Sequence, residues 1–110
     1  MQRRGNSAKD GYVGIDNDRD GGMTFHGRLV LDARVFGLIP EDETCEGWEL
    51  GRLQGLADRV NAEWDKYGGG IPSLLPDDLK KRHAEIYERQ MQKARDAGWD
   101  PDAHLEDENT

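Results

Sequence analysis

The side chains able to do chemistry are few: one thiol, Cys45; three imidazoles, His26, His83 and His104; and two carboxylate clusters. One cluster is Asp16, Asp18 and Asp20, and the other, Glu41, Asp42, Glu43 and Glu46, surrounds the thiol. A cysteine attacks as its thiolate, and Glu43 and Glu46 disfavour that form, so Cys45 is a poor nucleophile. The imidazoles and the thiol form no HExxH pair, no CxxC and no zinc-finger register, so no metal site is expected from them. Asp16, Asp18, Asp20 and Gly21 match the opening of a calcium loop, in which alternate carboxylates converge on the ion and glycine turns the chain. The position that would supply the bidentate glutamate is Gly27, and no helical pattern precedes Asp16, so a solvated acidic stretch is the expectation. Paired carboxylates do acid–base work only where burial separates their pKa values, which a solvated loop over 41–46 does not provide. The glycines at 21–22 and 68–70 lack the Lys-Ser/Thr of a phosphate loop and read as hinges. No catalytic residue, metal or cofactor is expected.

Recognition has better candidates than catalysis. Three tryptophans, Trp48, Trp64 and Trp99, fall at or near helix ends, where a large amphipathic ring serves either the core or a partner. Trp48 beside Glu41, Glu43 and Glu46 is the candidate partner-binding set. The alternative is a nucleic-acid surface made of Lys80, Lys81, Arg82, Arg89 and Lys93 on the one basic element. Asp77, Asp78, Glu85, Glu88 and Asp96 interleave with these cations, and the pairs Asp77–Lys81, Asp78–Arg82 and Glu85–Arg89 have the i, i+4 spacing of ordinary helix support.

The elements that must position these residues lie in the middle of the chain. Of the 20 Leu, Ile, Val and Phe residues, 17 fall between Met23 and Trp99, enough for one small core and no second domain. Residues 1–22 are rich in Gly, Asn and Asp and hold only Tyr12, Val13 and Ile15 to bury, so they are expected as a flexible arm. From Thr24 to Gly37, Phe25, Leu29, Ala33 and Phe36 fit one helical face, while Phe25, Leu29, Leu31, Ala33 and Val35 also alternate as in a strand. A helix capped by Thr24 and stopped by Gly37 is favoured, because a lone strand has no partner.

An acidic loop follows over 38–47, and then Leu50, Leu53, Ala57, Val60, Trp64 and Tyr67 recur in steps of three and four, the clearest helix of the chain, ended by Gly68. Pro72 is expected to keep the next connection extended. A third helix opens at Pro76 with Asp77 and Asp78 in its first turn and carries Leu79, Ile86, Gln90, Ala94 and Ala97 along one side. Gly98, Trp99 and Pro101 mark its end. The expected fold is therefore all-α, a small three-helix domain over 23–103, with a disordered N-terminal arm over 1–22 and a disordered acidic tail over 104–110.

Charge and context complete the reading. The net charge is -8, which repels phosphate and lowers the expectation of duplex binding. One cysteine allows no intramolecular disulfide, and no apolar run approaches a membrane span or a secretory leader, so a cytoplasmic protein with no membrane contact is expected.

The stretch Asp32-Ala33-Arg34-Val35-Phe36-Gly37-Leu38-Ile39-Pro40-Glu41, continuing through Glu43-Thr44-Cys45-Glu46-Gly47-Trp48, resembles small proteins encoded on proteobacterial integrative and conjugative elements. The run Asp96-Ala97-Gly98-Trp99-Asp100-Pro101 is a second point of contact, and the similarity covers 23–101. That family has no established activity to carry over, so the resemblance implies a bacterial mobile-element setting and an accessory role, and no site residues. The expected function is non-enzymatic: an adaptor or inhibitor that binds another protein, with a small DNA-associated regulator as the alternative.

Overall fold

The computed structural model describes residues 11–99, so the first ten residues of the expected arm and the whole 104–110 tail lie outside the described residues. Three helices carry the fold: α1 (Phe25–Val35), α2 (Leu50–Asp65) and α3 (Asp77–Asp96). No strand occurs among the described residues. Thr24 caps α1 by accepting the Gly27 amide on its hydroxyl at 3.1 Å, satisfying one of the donors a helix start leaves free. Gly37, Gly68 and Gly98 follow the three helices with φ of 71°, 101° and 105°, the left-handed turn that lets the final carbonyls accept from beyond the helix. Leu38 donates to Ala33 O, Gly69 to Trp64 O and Trp99 to Ala94 O.

α1 is the central element and packs against both α2 and α3. Its buried residues, Leu29, Val30, Leu31, Ala33 and Val35, run most of the way round the helix. That is why its sequence carries a strand-like alternation as well as a helical face: an element covered on two sides loses the single apolar stripe of a surface helix. α2 buries Leu53, Leu56, Val60 and Trp64, and α3 buries Ile86, Gln90 and Ala94, each keeping one face toward α1. α2 and α3 approach each other through long side chains, with the Trp64 and His83 rings edge to face at 6.0 Å.

Several expectations need correction. Residues 11–22 are not a free arm: they lie along the 44–48 loop, with Tyr12 N donating to Trp48 O, Gly47 N to Tyr12 O and Ile15 N to Thr44 O. Ile15 is buried against the core. What holds this segment is largely polar, which a count of apolar residues does not register. Pro72 does not keep an extended chain either; Pro72–Leu74 forms a 3-10 turn that buries Leu75. Pro76 stands at the N-cap of α3 rather than inside its first turn. Phe25 and Leu50, assigned to core faces, are 76% and 71% exposed, and Ala97 is exposed. Phe25 and Leu50 each open a helix, and because helical side chains lean toward the N-terminus they project past the end of the packed seam.

Candidate interaction surface

The 38–47 loop was expected to be a solvated acidic loop, and Glu41, Asp42 and Glu46 are exposed, but it does not hang free. It is instead fastened at several points. The Arg34 guanidinium donates twice to Glu43 O, from Nη2 at 2.7 Å and Nε at 3.2 Å, and the Cys45 amide donates to the Glu43 carboxylate at 2.9 Å. Glu41 pairs with Arg82 of α3 at 2.8 Å. Cys45 is fully buried and holds φ of 62°, a conformation L-residues seldom adopt. Burial first, and then the Glu43 carboxylate, push its thiol up to about 11, which makes it an inert core residue. Of the expected partner-binding set, Glu46 is exposed, Glu41 is exposed but paired, and Glu43 and Trp48 are half-buried. The Trp48 ring is covered on one side by the Arg52 guanidinium, 3.7 Å from its centroid, a cation–π contact.

Trp48 nonetheless borders two recesses. One, beside Leu38, Ile39, Pro40 and Leu56, is edged by Glu43, Arg52 and Arg59, so its rim is of mixed sign and not the acidic one expected. The other, of about 420 Å³, lies between Tyr12, Val13, His26, Trp48, Leu50 and Leu53. It is apolar, and it is shaped by the docked 11–22 segment on one side and the start of α2 on the other. Val13 is 44% exposed beside it and Leu50 71%, and the line continues through His26, whose ring stands 5.5 Å from Tyr12 and 5.6 Å from Phe25. Val13, Leu50 and His26 line the Trp48 recess, and Phe25, in contact with the His26 ring, extends this exposed ridge toward a neighbouring recess that it lines with Leu29, Val60 and Trp64. The exposed carboxylates Asp16, Glu46 and Glu49 belong to the segments that shape this ridge.

The ridge exists because an internal carboxylate clamps the 11–22 segment in place. Asp18 accepts from the Tyr12 hydroxyl at 2.6 Å, from the Asp20 amide at 2.9 Å and from the Thr24 hydroxyl. Burial disfavours its charge, yet the hydrogen bonds from Thr24, Tyr12 and the backbone outweigh burial and hold it below the usual carboxylate range. A side chain expected to lie in a solvated acidic stretch is therefore turned inward onto protein donors. Among the described residues no group of three or more His, Cys, Asp and Glu side chains converges as a metal site.

A second internal carboxylate, Asp32 of α1, accepts from Tyr87 at 2.7 Å and from the Trp64 indole at 3.3 Å. Burial raises its pKa, and the hydrogen bonds only partly offset it. The His83 imidazole lies stacked on Tyr87 at 4.3 Å, and burial lowers its pKa against the opposing pull of Asp32. The cluster joins all three helices through side chains that donate to one acid. His83 and His26 belong to different clusters, and Cys45 is sealed in the core, so among the described residues the thiol and the two imidazoles are not brought to one cleft.

The basic residues of α3 divide in the same way. Lys80 and Lys81 are exposed. Arg82 turns away from Asp78 to cap the end of α1, donating to Val35 O at 3.0 Å and Arg34 O at 2.9 Å. None of the three expected i, i+4 pairs closes to ion-pair distance among the described residues. Arg89 and Lys93 line a small recess with Arg34. No helix of the described residues is long and apolar enough to cross a membrane. No protein family, curated protein or solved structure matches the chain.

Proposed function

We propose that the protein is a non-enzymatic interaction module, an adaptor or inhibitor of another protein, and that its binding face is the apolar ridge of Val13, Phe25, His26 and Leu50 with the Trp48 recess below it. The observation that carries this reading is the exposure of Phe25 and Leu50, 76% and 71%, on helices whose other large apolar residues are mostly buried. Large apolar side chains gathered in a line around a recess, with an aromatic floor, are the make-up of binding hot spots. The surrounding carboxylates Asp16, Glu46 and Glu49 suit a partner segment with apolar anchors and basic flanks.

This places the face beside Glu46 and Trp48 of the expected set and moves it off Glu41 and Glu43, whose carboxylates serve the loop's own structure. The nucleic-acid alternative is weakened by the loss of Arg82 to helix capping and by the net charge of -8. A bacterial mobile-element setting and a cytoplasmic location belong to the same proposal, on the resemblance of the 32–48 stretch and on the lone thiol.

The test compares the tagged full chain with the double variant Phe25→Ser/Leu50→Ser as bait in a bacterial lysate, with and without nuclease treatment. Both residues are exposed, so the variant keeps the helical circular dichroism of the wild type. A discrete protein retained by the wild type and lost by the variant is the expected result. Equal retention by both, or capture that vanishes with nuclease, overturns the reading.

A further inference from the structure

A recess of about 150 Å³ lies between the end of α1, the 38–48 loop and α3, lined by Arg34, Glu41, Ile86, Arg89, Gln90 and Lys93. It shares no lining residue with the Trp48 recess. Three cations line it against one carboxylate, in a chain whose net charge is -8, and that carboxylate is already held by Arg82 at 2.8 Å. Arg34, Arg89 and Lys93 form no ion pair among the described residues. The excess of positive charge on this recess favours an anion there.

The donors are also partly fixed in advance. Arg34 spends Nε and Nη2 on Glu43 O, which orients the guanidinium and leaves Nη1 unspent. Gln90 is 5% exposed and is anchored by donating from Nε2 to Gly21 O at 2.7 Å. Its amide nitrogen packs against the Gly21–Gly22 backbone, so Gln90 walls the recess and the cations are its donors. The carbonyls at the end of α1, which would repel an anion, are covered at Arg34 O and Val35 O by Arg82.

We infer that this recess binds a compact oxyanion of the phosphate class, held by Arg34, Arg89 and Lys93 against a wall that includes Gln90. Size sets the class. At ~30 Å³ per water the recess holds roughly five waters, well below the ~300 Å³ at which pockets for drug-sized ligands begin, so it takes a phosphate group and not a base or a sugar ring. Two guanidinium groups supply the forked donors that tetrahedral oxyanions match best, and the lysine adds a mobile point charge.

The test follows amide and side-chain NMR signals of the full chain on titration with inorganic phosphate, and separately with glycerol 3-phosphate, each against sodium chloride at matched ionic strength. Saturable shifts confined to Arg34, Gln90, Arg89 and Lys93 are expected, and Arg89→Gln/Lys93→Gln weakens binding by about tenfold or more through loss of two charged donors. The control Lys80→Gln/Lys81→Gln, also exposed, changes it by less than about twofold, as expected of distant screened charges. Equal affinity for both probes identifies the free anion as sufficient, and tighter binding of the ester identifies a phosphomonoester as the source. Non-saturating shifts, shifts reproduced by chloride, or equal weakening by the Lys80/Lys81 control overturn the inference. So does a duplex oligonucleotide that binds far more tightly than phosphate and moves Lys80 and Lys81 together with Arg89 and Lys93, because that describes an extended backbone contact.

Discussion

The inner seam of α1 and the outer ridge at its start use similar residue types to opposite ends. On the seam, side chains that look available for binding are spent on the fold: Arg82 caps α1, Tyr87 and Trp64 converge on Asp32, and Gln90 ties α3 to the 11–22 segment through Gly21 O. On the ridge, side chains that look like core, Phe25 and Leu50, are left in solvent. Residue type therefore does not separate buried from exposed side chains in this molecule. Position within the helix does, since first-turn side chains overhang the seam and later ones fill it.

The comparison is sharpened first by substitutions that stress the seam, from the largest expected effect downward. A Cβ on Gly27 would stand 2.1 Å from Gly22 O and 2.5 Å from Gly22 C, and both are backbone atoms that cannot swing aside. Gly27→Ala is expected to destabilise the domain by about 2 kcal/mol despite the better helix propensity of alanine, measured by urea unfolding, because the 11–22 segment must shift from α1. A loss below that of a surface substitution would show that this segment is only lightly held.

Arg82→Met comes next, with an expected loss of about 1.5 kcal/mol. The low end of the range for a charged donor applies because the side chain is 38% exposed and solvent replaces part of what is removed. No change in the urea midpoint would return Arg82 to the pool of free surface cations.

The two internal carboxylates give a smaller, pH-dependent contrast. Asp18 is held below its unfolded value, so its contribution is present above about pH 4 and is lost as pH falls through the folded pKa. Asp32 is raised, so the folded state holds its proton more tightly, and its contribution falls as pH rises from about 4 through that raised value. Melting temperature followed from pH 7 to pH 3 is expected to show less acid lability in Asp18→Asn than in the wild type, and Asp32→Asn is expected to remove the opposing trend. Identical pH profiles for the two variants would mean that the carboxylates do not differ as their donors indicate.

Much of the helical frame is readable from residue spacing. The stripe of α2 is a period of three and four around Leu53, Val60 and Trp64, and Thr24, Gly37, Gly68 and Gly98 mark ends whose capping chemistry is local. The 11–22 segment is not readable in this way. Its attachment rests on hydrogen bonds among the polar side chains Tyr12, Asp18 and Thr24, which a search for apolar periodicity does not register, and on a glycine carbonyl reached by Gln90 from the far end of the chain. The candidate site was half visible: Trp48 and Glu46 stood out by type, whereas Phe25 and Leu50 were hidden among core residues by their own periodicity. The turn of Arg82 toward α1 rather than Asp78 was likewise invisible, because i, i+4 spacing gives the nearer partner and not the one that offers two carbonyls.

The smallest expected effect on stability, and the largest on binding, belongs to the ridge. Phe25→Ser/Leu50→Ser is expected to change the unfolding free energy by no more than about 0.5 kcal/mol, the range of exposed positions, while abolishing partner capture. A loss of several kcal/mol would mean that these side chains are buried in solution and that the ridge is core.

The most direct measurement places a photo-crosslinking amino acid at position 50 and, in a second chain, at position 81, and irradiates each in a nuclease-treated bacterial lysate. The account predicts a discrete protein adduct from position 50 that disappears when Phe25→Ser is added, and none of comparable yield from position 81. Adducts of equal yield from both positions, or an adduct at position 50 indifferent to Phe25, would contradict it.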